Sequence, residues 1–204
     1  MKKTLIPKLI FSYVLFVVLG FIILCTFTQH AITHYAENRE AQQLYRESVQ
    51  IASGYADNYN KYSFSLQDFQ KQMQSLGEYL SAQIWIMDNQ GNILFDSTDE
   101  SVGKDAANAN YKTLKGFNTS DFGNRYYMTG NFYGSFSEKN LTVFSPITSN
   151  YRIHSYVMIH KTVSSITQNA NGFMNIVFYT IEFVFLTALF LLLLFAHGFY
   201  RPLH

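Results

Sequence analysis

From Leu9 to Thr28 the chain reads LIFSYVLFVVLGFIILCTFT, twenty residues without a charge. At 1.5 Å per helical residue such a run is about 30 Å long, the thickness of a bilayer's hydrocarbon core. Phe173–Phe195 repeats the pattern, with Glu182 as its one ionisable interruption. Gln29–Asn171, between the runs, carries 13 acidic and 11 basic residues, a net of −2. The remaining basic residues, Lys2, Lys3, Lys8 and Arg201, flank the outer ends of the two runs. Cytoplasmic flanks attract Lys and Arg, so both termini are expected inside the cell and the middle outside. The expected division is a cytoplasmic N-terminus over 1–8, a membrane helix over 9–28, an extracytoplasmic domain over 29–171, a second membrane helix over 172–196 and a cytoplasmic stub over 197–204. The first run exceeds the 7–15 apolar residues of a signal peptide and no A-x-A-like cleavage site follows Cys25, so it reads as a retained anchor.

Composition removes other classes. A net charge of +1 over 204 residues is no nucleic-acid-binding polycation. Aromatics at 17% and charged residues at 14% exclude a disordered tail. One cysteine excludes an internal disulfide framework and Cys-rich zinc modules. No G-x-S-x-G, H-E-x-x-H or G-x-x-x-x-G-K-[ST] run is present, so no catalytic site and no cofactor is expected.

The middle reads as α+β. Ala41, Tyr45, Val49, Ala52, Tyr55 and Tyr59 recur at helical spacing, and nothing between Thr28 and this stretch breaks a helix leaving the membrane. A second helix has Ser65 as cap, Asp68 three residues on, and Phe64 and Phe69 as a staple. Its apolar face is Leu66, Phe69, Met73, Leu76 and Leu80. Strands are expected at 84–88 and 93–96, joined through Asn89-Gln90-Gly91-Asn92, where Gly91 supplies the positive φ of a tight turn. Ser101–Lys115 reads as a loop with a short helix. Further strands are expected at 125–136, 141–144, where Pro146 marks an end or a bulge, and 156–160. A five-stranded antiparallel sheet would then pack one face on the long helices and turn the other to the Ser101–Lys115 segment. Val163, Ile166, Ala170, Phe173, Val177 and Val184 form a heptad-like stripe on the exit helix, which suggests pairing with its copy in a homodimer.

The layout resembles a known family. An anchor comes first, followed by strands reading Ile84-Trp85-Ile86-Met87-Asp88-Asn89-Gln90-Gly91-Asn92-Ile93 and a strand ending Phe144-Ser145-Pro146-Ile147. A last strand leads into a second span, and Arg201-Pro202-Leu203 closes the chain. This looks like the input half of a bacterial membrane sensor histidine kinase with a PAS-like, single-Cache sensing domain, and Arg-Pro-Leu is similar to the start of a HAMP linker. The resemblance implies a homodimer in the lipid bilayer that binds a cue outside and shifts its second membrane helix. It also implies a kinase core beyond these residues and a cognate response regulator; no phosphoacceptor helix or ATP-binding box lies within the 204 residues. Chemoreceptors and HAMP-containing diguanylate cyclases share this front half. The alternative is a two-span interaction subunit whose outer domain recognises a partner protein rather than a small ligand.

Candidate site residues are weighed against plainer roles. Arg125 and Asp96 could be polar anchors for a ligand, with Trp85, Tyr127, Tyr133, Tyr156 and Phe144 lining its cavity, although such aromatics are commonly just core. His30 and His34, four apart, with Glu37 a turn further, have metal-compatible spacing but equally suit the headgroup level. Glu182 is an intramembrane acid and hence a signalling candidate, as are Arg201 and Pro202 at the linker. Glu182 is expected to face the first span at the depth of Thr26 and Thr28 rather than of Tyr13.

Overall fold

The computed structural model describes residues 5–59, 66–99 and 112–200. Nine segments appear in chain order: α1 (Leu5–Tyr59), α2 (Leu66–Leu80), β1 (Gln83–Asp88), β2 (Ile93–Asp96), a 3-10 turn at Thr119–Phe122, β3 (Tyr127–Gly130), β4 (Asn140–Ser149), β5 (Arg152–Thr162) and α3 (Val163–Tyr200). They divide into two compact units, Ala36–Thr167 and the pair Met1–Tyr35 with Gln168–His204.

The first unit is an α+β domain. Its five strands are antiparallel in the order β2-β1-β5-β4-β3. Side chains alternate across a strand, so each strand feeds two faces. Ile84, Ile86, Phe95, Leu141, Val143, Val157 and Ile159 form one face and pack with Ala41, Leu44 and Ile51 of α1 and Phe69, Met73 and Leu80 of α2. Lys161 of β5 binds Glu40 of α1 at 2.6 Å, and the Tyr127 hydroxyl donates to Asn38 at 2.6 Å. Of the expected apolar face of α2, Phe69, Met73 and Leu80 are buried and Leu76 is partly so. Its capping residues Phe64 and Ser65 lie outside the described residues, as do Ser101–Tyr111.

The β1–β2 hairpin forms as its sequence dictates. Asp88 Oδ1 accepts from the backbone N–H of Gln90 and Asn92 at 2.8 and 2.9 Å, and Gly91 takes φ +87. A Cβ on Gly91 would stand 3.0 Å from the Phe117 Cβ and 3.2 Å from the Leu114 carbonyl oxygen, so glycine also permits a close crossing. The Leu114 N–H donates to that glycine's carbonyl at 2.9 Å, which ties the following segment to the hairpin tip.

Three strand expectations are corrected. The span 125–136 is a strand only over Tyr127–Gly130; beyond it Phe132, Tyr133 and Gly134 have φ of +37, +54 and +73, which ends the extended backbone. β5 is longer than 156–160, because the backbone ladder to β4 continues through its polar ends, with the His154 ring 3.2 Å from the Ser149 carbonyl oxygen near the tip. β4 continues past Pro146 to Ser149, with a register shift at Ile147/Thr148. The Phe144 N–H points to Tyr126 on the β3 side, so position 146 faces the same way. β3 has ended there, and proline forfeits no ladder bond.

The second unit contains the membrane-length parts of α1 and α3. Both helices are long and apolar enough to cross a membrane. Phe11, Phe16, Phe27 and Phe183 are each about 70% exposed, an all-round apolar surface suited to lipid. The hydroxyls of Thr26, Thr180 and Thr187 donate to carbonyls four residues back in their own helices, at 2.8 Å each. Tyr13 instead reaches from α1 to the Phe185 carbonyl of α3 at 2.9 Å.

Candidate functional site

The second face of the sheet carries Trp85 and Met87 of β1, Ile93 of β2, Met158 of β5 and Phe144 of β4. The segment Leu114–Phe136 covers it with Leu114, Phe117, Phe122, Phe132 and Phe136. At its centre is His160. Registers place His160 opposite Thr142 on β4 and Gln83 on β1. The ring is buried, and its Nδ1 lies 2.8 Å from the Thr142 hydroxyl. Trp85, Phe132 and Phe136 close around it at centroid distances of 4.3, 4.8 and 4.9 Å. Phe136 also stacks on Trp85 at 5.3 Å with an 18° tilt. Burial in this apolar box pushes the His160 pKa down to about 3, because nothing there replaces the water an imidazolium would lose. Two buried nitrogens, His160 Nε2 and Trp85 Nε1, have no hydrogen-bond partner among the described residues.

Phe132 and Phe136 are presented by the turn after β3. Its backbone bonds are few: Ser135 N–H to the Phe132 carbonyl at 3.0 Å and Phe136 N–H to that of Asn131 at 3.2 Å. Three consecutive left-handed residues hold it, two of them aromatic. Such strain persists where surrounding packing compensates it. Tyr133 anchors the turn outward, donating to Asp121 Oδ2 at 2.6 Å. Burial, reinforced by that bond to a carboxylate, raises the Tyr133 hydroxyl above the ordinary phenol range.

The expected ligand set is thus dispersed. Trp85, Tyr133, Tyr156 and Phe144 lie together on the aromatic face. Tyr127 faces the helices. Arg125 is exposed and precedes β3. Asp96 is buried, but its carboxylate accepts from Gln83 Nε2, Thr98 N and Thr98 Oγ1 at 2.8–2.9 Å. It pins the end of the hairpin and has no free face for a ligand. A cavity of about 280 Å³ lies elsewhere, lined by Tyr55, Ala56, Leu94, Ile147, Ser149, Asn150, His154 and Ser155, and it includes none of the proposed lining residues. The site that sequence reasoning missed is His160; it lies at the end of an apolar strand, and only the pairing with Trp85 and the turn above distinguishes it.

Among the described residues no group of three His, Cys, Asp or Glu side chains could hold a metal ion, and Glu37 of the metal-compatible set lies 3.8 Å from Lys139. Glu182 does face the first span, in an open groove of about 190 Å³ with Tyr13, Val14, Val17, Val18 and Phe21 of α1. Neither Thr26 nor Thr28 lines that groove. Arg201 and Pro202 lie outside the described residues. Ile166, part of the stripe assigned to a dimer, is buried in its own domain's core. Among known proteins, no family model and no curated sequence matches this chain.

Proposed function

We propose that this chain is the input module of a transmembrane receptor. Its outer domain senses an extracytoplasmic cue and relays it through α3 to a cytoplasmic output, most simply the kinase core of a two-component system. One observation carries the reading. β5 ends at Thr162 and α3 begins at Val163, with no residue between them. β5 is the central strand of the sheet, paired on both sides, so a rearrangement of either face reaches the head of the membrane-length helix without a slack connection. A PAS-like or Cache identity, a HAMP linker beginning at Arg201-Pro202 and a homodimer belong to the same proposal and rest on the family resemblance. The proposal places both termini in the cytoplasm, from the basic flanks. A chimera joining residues 1–204 to a HAMP and kinase core of known output tests it. Inserting Gly-Ser-Gly-Ser between Thr162 and Val163 should uncouple the output from the outer domain while the chain still inserts. Output indifferent to the insertion would overturn the relay.

A second reading has a specific observation in its favour. Arg125 and Asp96 line no described cavity, and the aromatic face is packed. That suits recognition of a partner protein by the outer surface better than enclosure of an organic ligand.

A further inference from the structure

The packed aromatic face leaves room for the smallest of ligands. We propose that His160 is an acid-sensing site, in which binding of one proton lifts the Phe132–Phe136 turn off Trp85. As an input to α3 this rests on the receptor reading above; as a local event it stands alone.

The argument is one of unmet hydrogen bonding. His160 Nδ1 is engaged with Thr142 Oγ1. In one tautomer the Nδ1–H donates and Nε2 is a bare lone pair; in the other the Thr142 hydroxyl donates and Nε2 carries hydrogen. Either way the imidazolium presents an Nε2–H to a wall of rings with no acceptor. Attraction of a cation for ring faces is smaller than the cost of a buried, unpaired charge. Among the described residues, the other ionisable groups around the box are committed or remote from it. Asp96, on the same sheet face, is held by Gln83 and Thr98. Asp121 binds Tyr133. Lys112 lies over the outer side of Trp85 at 5.9 Å and opposes a second positive charge. Tyr156 lies on the same face, its ring 6.4 Å from that of Phe144. Glu138 takes the Ser164 hydroxyl and Lys139 pairs with Glu37, both beyond Phe136. Among the described residues no counter-charge stabilises the protonated ring in place, so the ring must reach water. The element that gives way is the turn held by two backbone bonds and three left-handed residues.

The sign follows. Water-exposed histidine titrates near 6.5, and the closed box holds His160 at about 3. The closed form is fully favoured above pH 6.5 and loses its advantage as pH falls toward 3. If the open turn is disfavoured about ten-fold at neutral pH, half-opening falls near pH 5.5; if about a hundred-fold, near 4.5.

Trp85 is the chain's single tryptophan and reports on the box directly. The full chain in phosphatidylcholine nanodiscs should show a reversible red shift of tryptophan emission between pH 7.5 and 4, with constant far-UV ellipticity. His160→Gln should abolish the shift, and Phe136→Leu, which loosens the cover, should move its midpoint upward by about one unit. Wild-type emission unchanged to pH 4, or an identical titration in His160→Gln, would overturn the site. Should His160→Gln not fold, histidine ring NMR of the wild type decides. Titration of His160 in step with Trp85 supports the site, and titration near 6.5 with Trp85 silent overturns it. In the kinase chimera, acid-silent output with a responding Trp85 counts against the relay alone.

Discussion

Gln83 Nε2, Thr98 N and Thr98 Oγ1 all donate to the Asp96 carboxylate, and the Gln70 side chain adds a bond to its carbonyl at 3.3 Å. A buried acceptor so used is worth more to the fold than to a ligand. Asp96→Ala strands the Thr98 N–H and the Gln83 amide, at a cost of about 1–3 kcal/mol. Urea denaturation of the full chain followed by ellipticity checks this, with Asp96→Asn expected to lose less. Unchanged stability would return Asp96 to the list of ligand anchors. At this scale the sequence was readable where chemistry is local: Asp88 and Gly91 announce their turn three residues apart. His160 was not, because its surroundings come from β1, β4 and a turn more than twenty residues upstream.

Element boundaries were legible where a face is buried on one side and wet on the other. The 3.6-residue pattern of α2 meets that condition, and Phe69, Met73 and Leu80 are buried as their spacing requires. β4 and β5 outrun their apolar runs because the backbone ladder continues through the polar ends of a long hairpin. The Tyr-rich stretch after Arg125 mimics a strand by alternation, yet its aromatic residues serve both faces and a left-handed turn. On α3 the first turn belongs to the α+β domain's own core, where Ile166 is 4% exposed. Ile166→Ala should therefore cost about 2–5 kcal/mol of that domain's stability. Thermal denaturation measures it; intact stability with loss of chain-to-chain cross-linking would restore the residue to a dimer seam.

On the scale of the whole molecule, two apolar helices bracket an α+β domain, and the function proposed depends on which side of the bilayer that domain occupies. The proposal puts it outside, on the strength of the basic flanks and the net −2 of the middle. Tyr151, at the β4–β5 tip, is fully exposed and suits a probe. In a Cys25→Ser background, Tyr151→Cys, Lys2→Cys and His204→Cys can each be challenged with a membrane-impermeant maleimide on intact cells. The account predicts labelling of Tyr151→Cys alone, with the two terminal variants reacting only after lysis. Labelling of either terminus on intact cells, or protection of Tyr151→Cys until lysis, would contradict it.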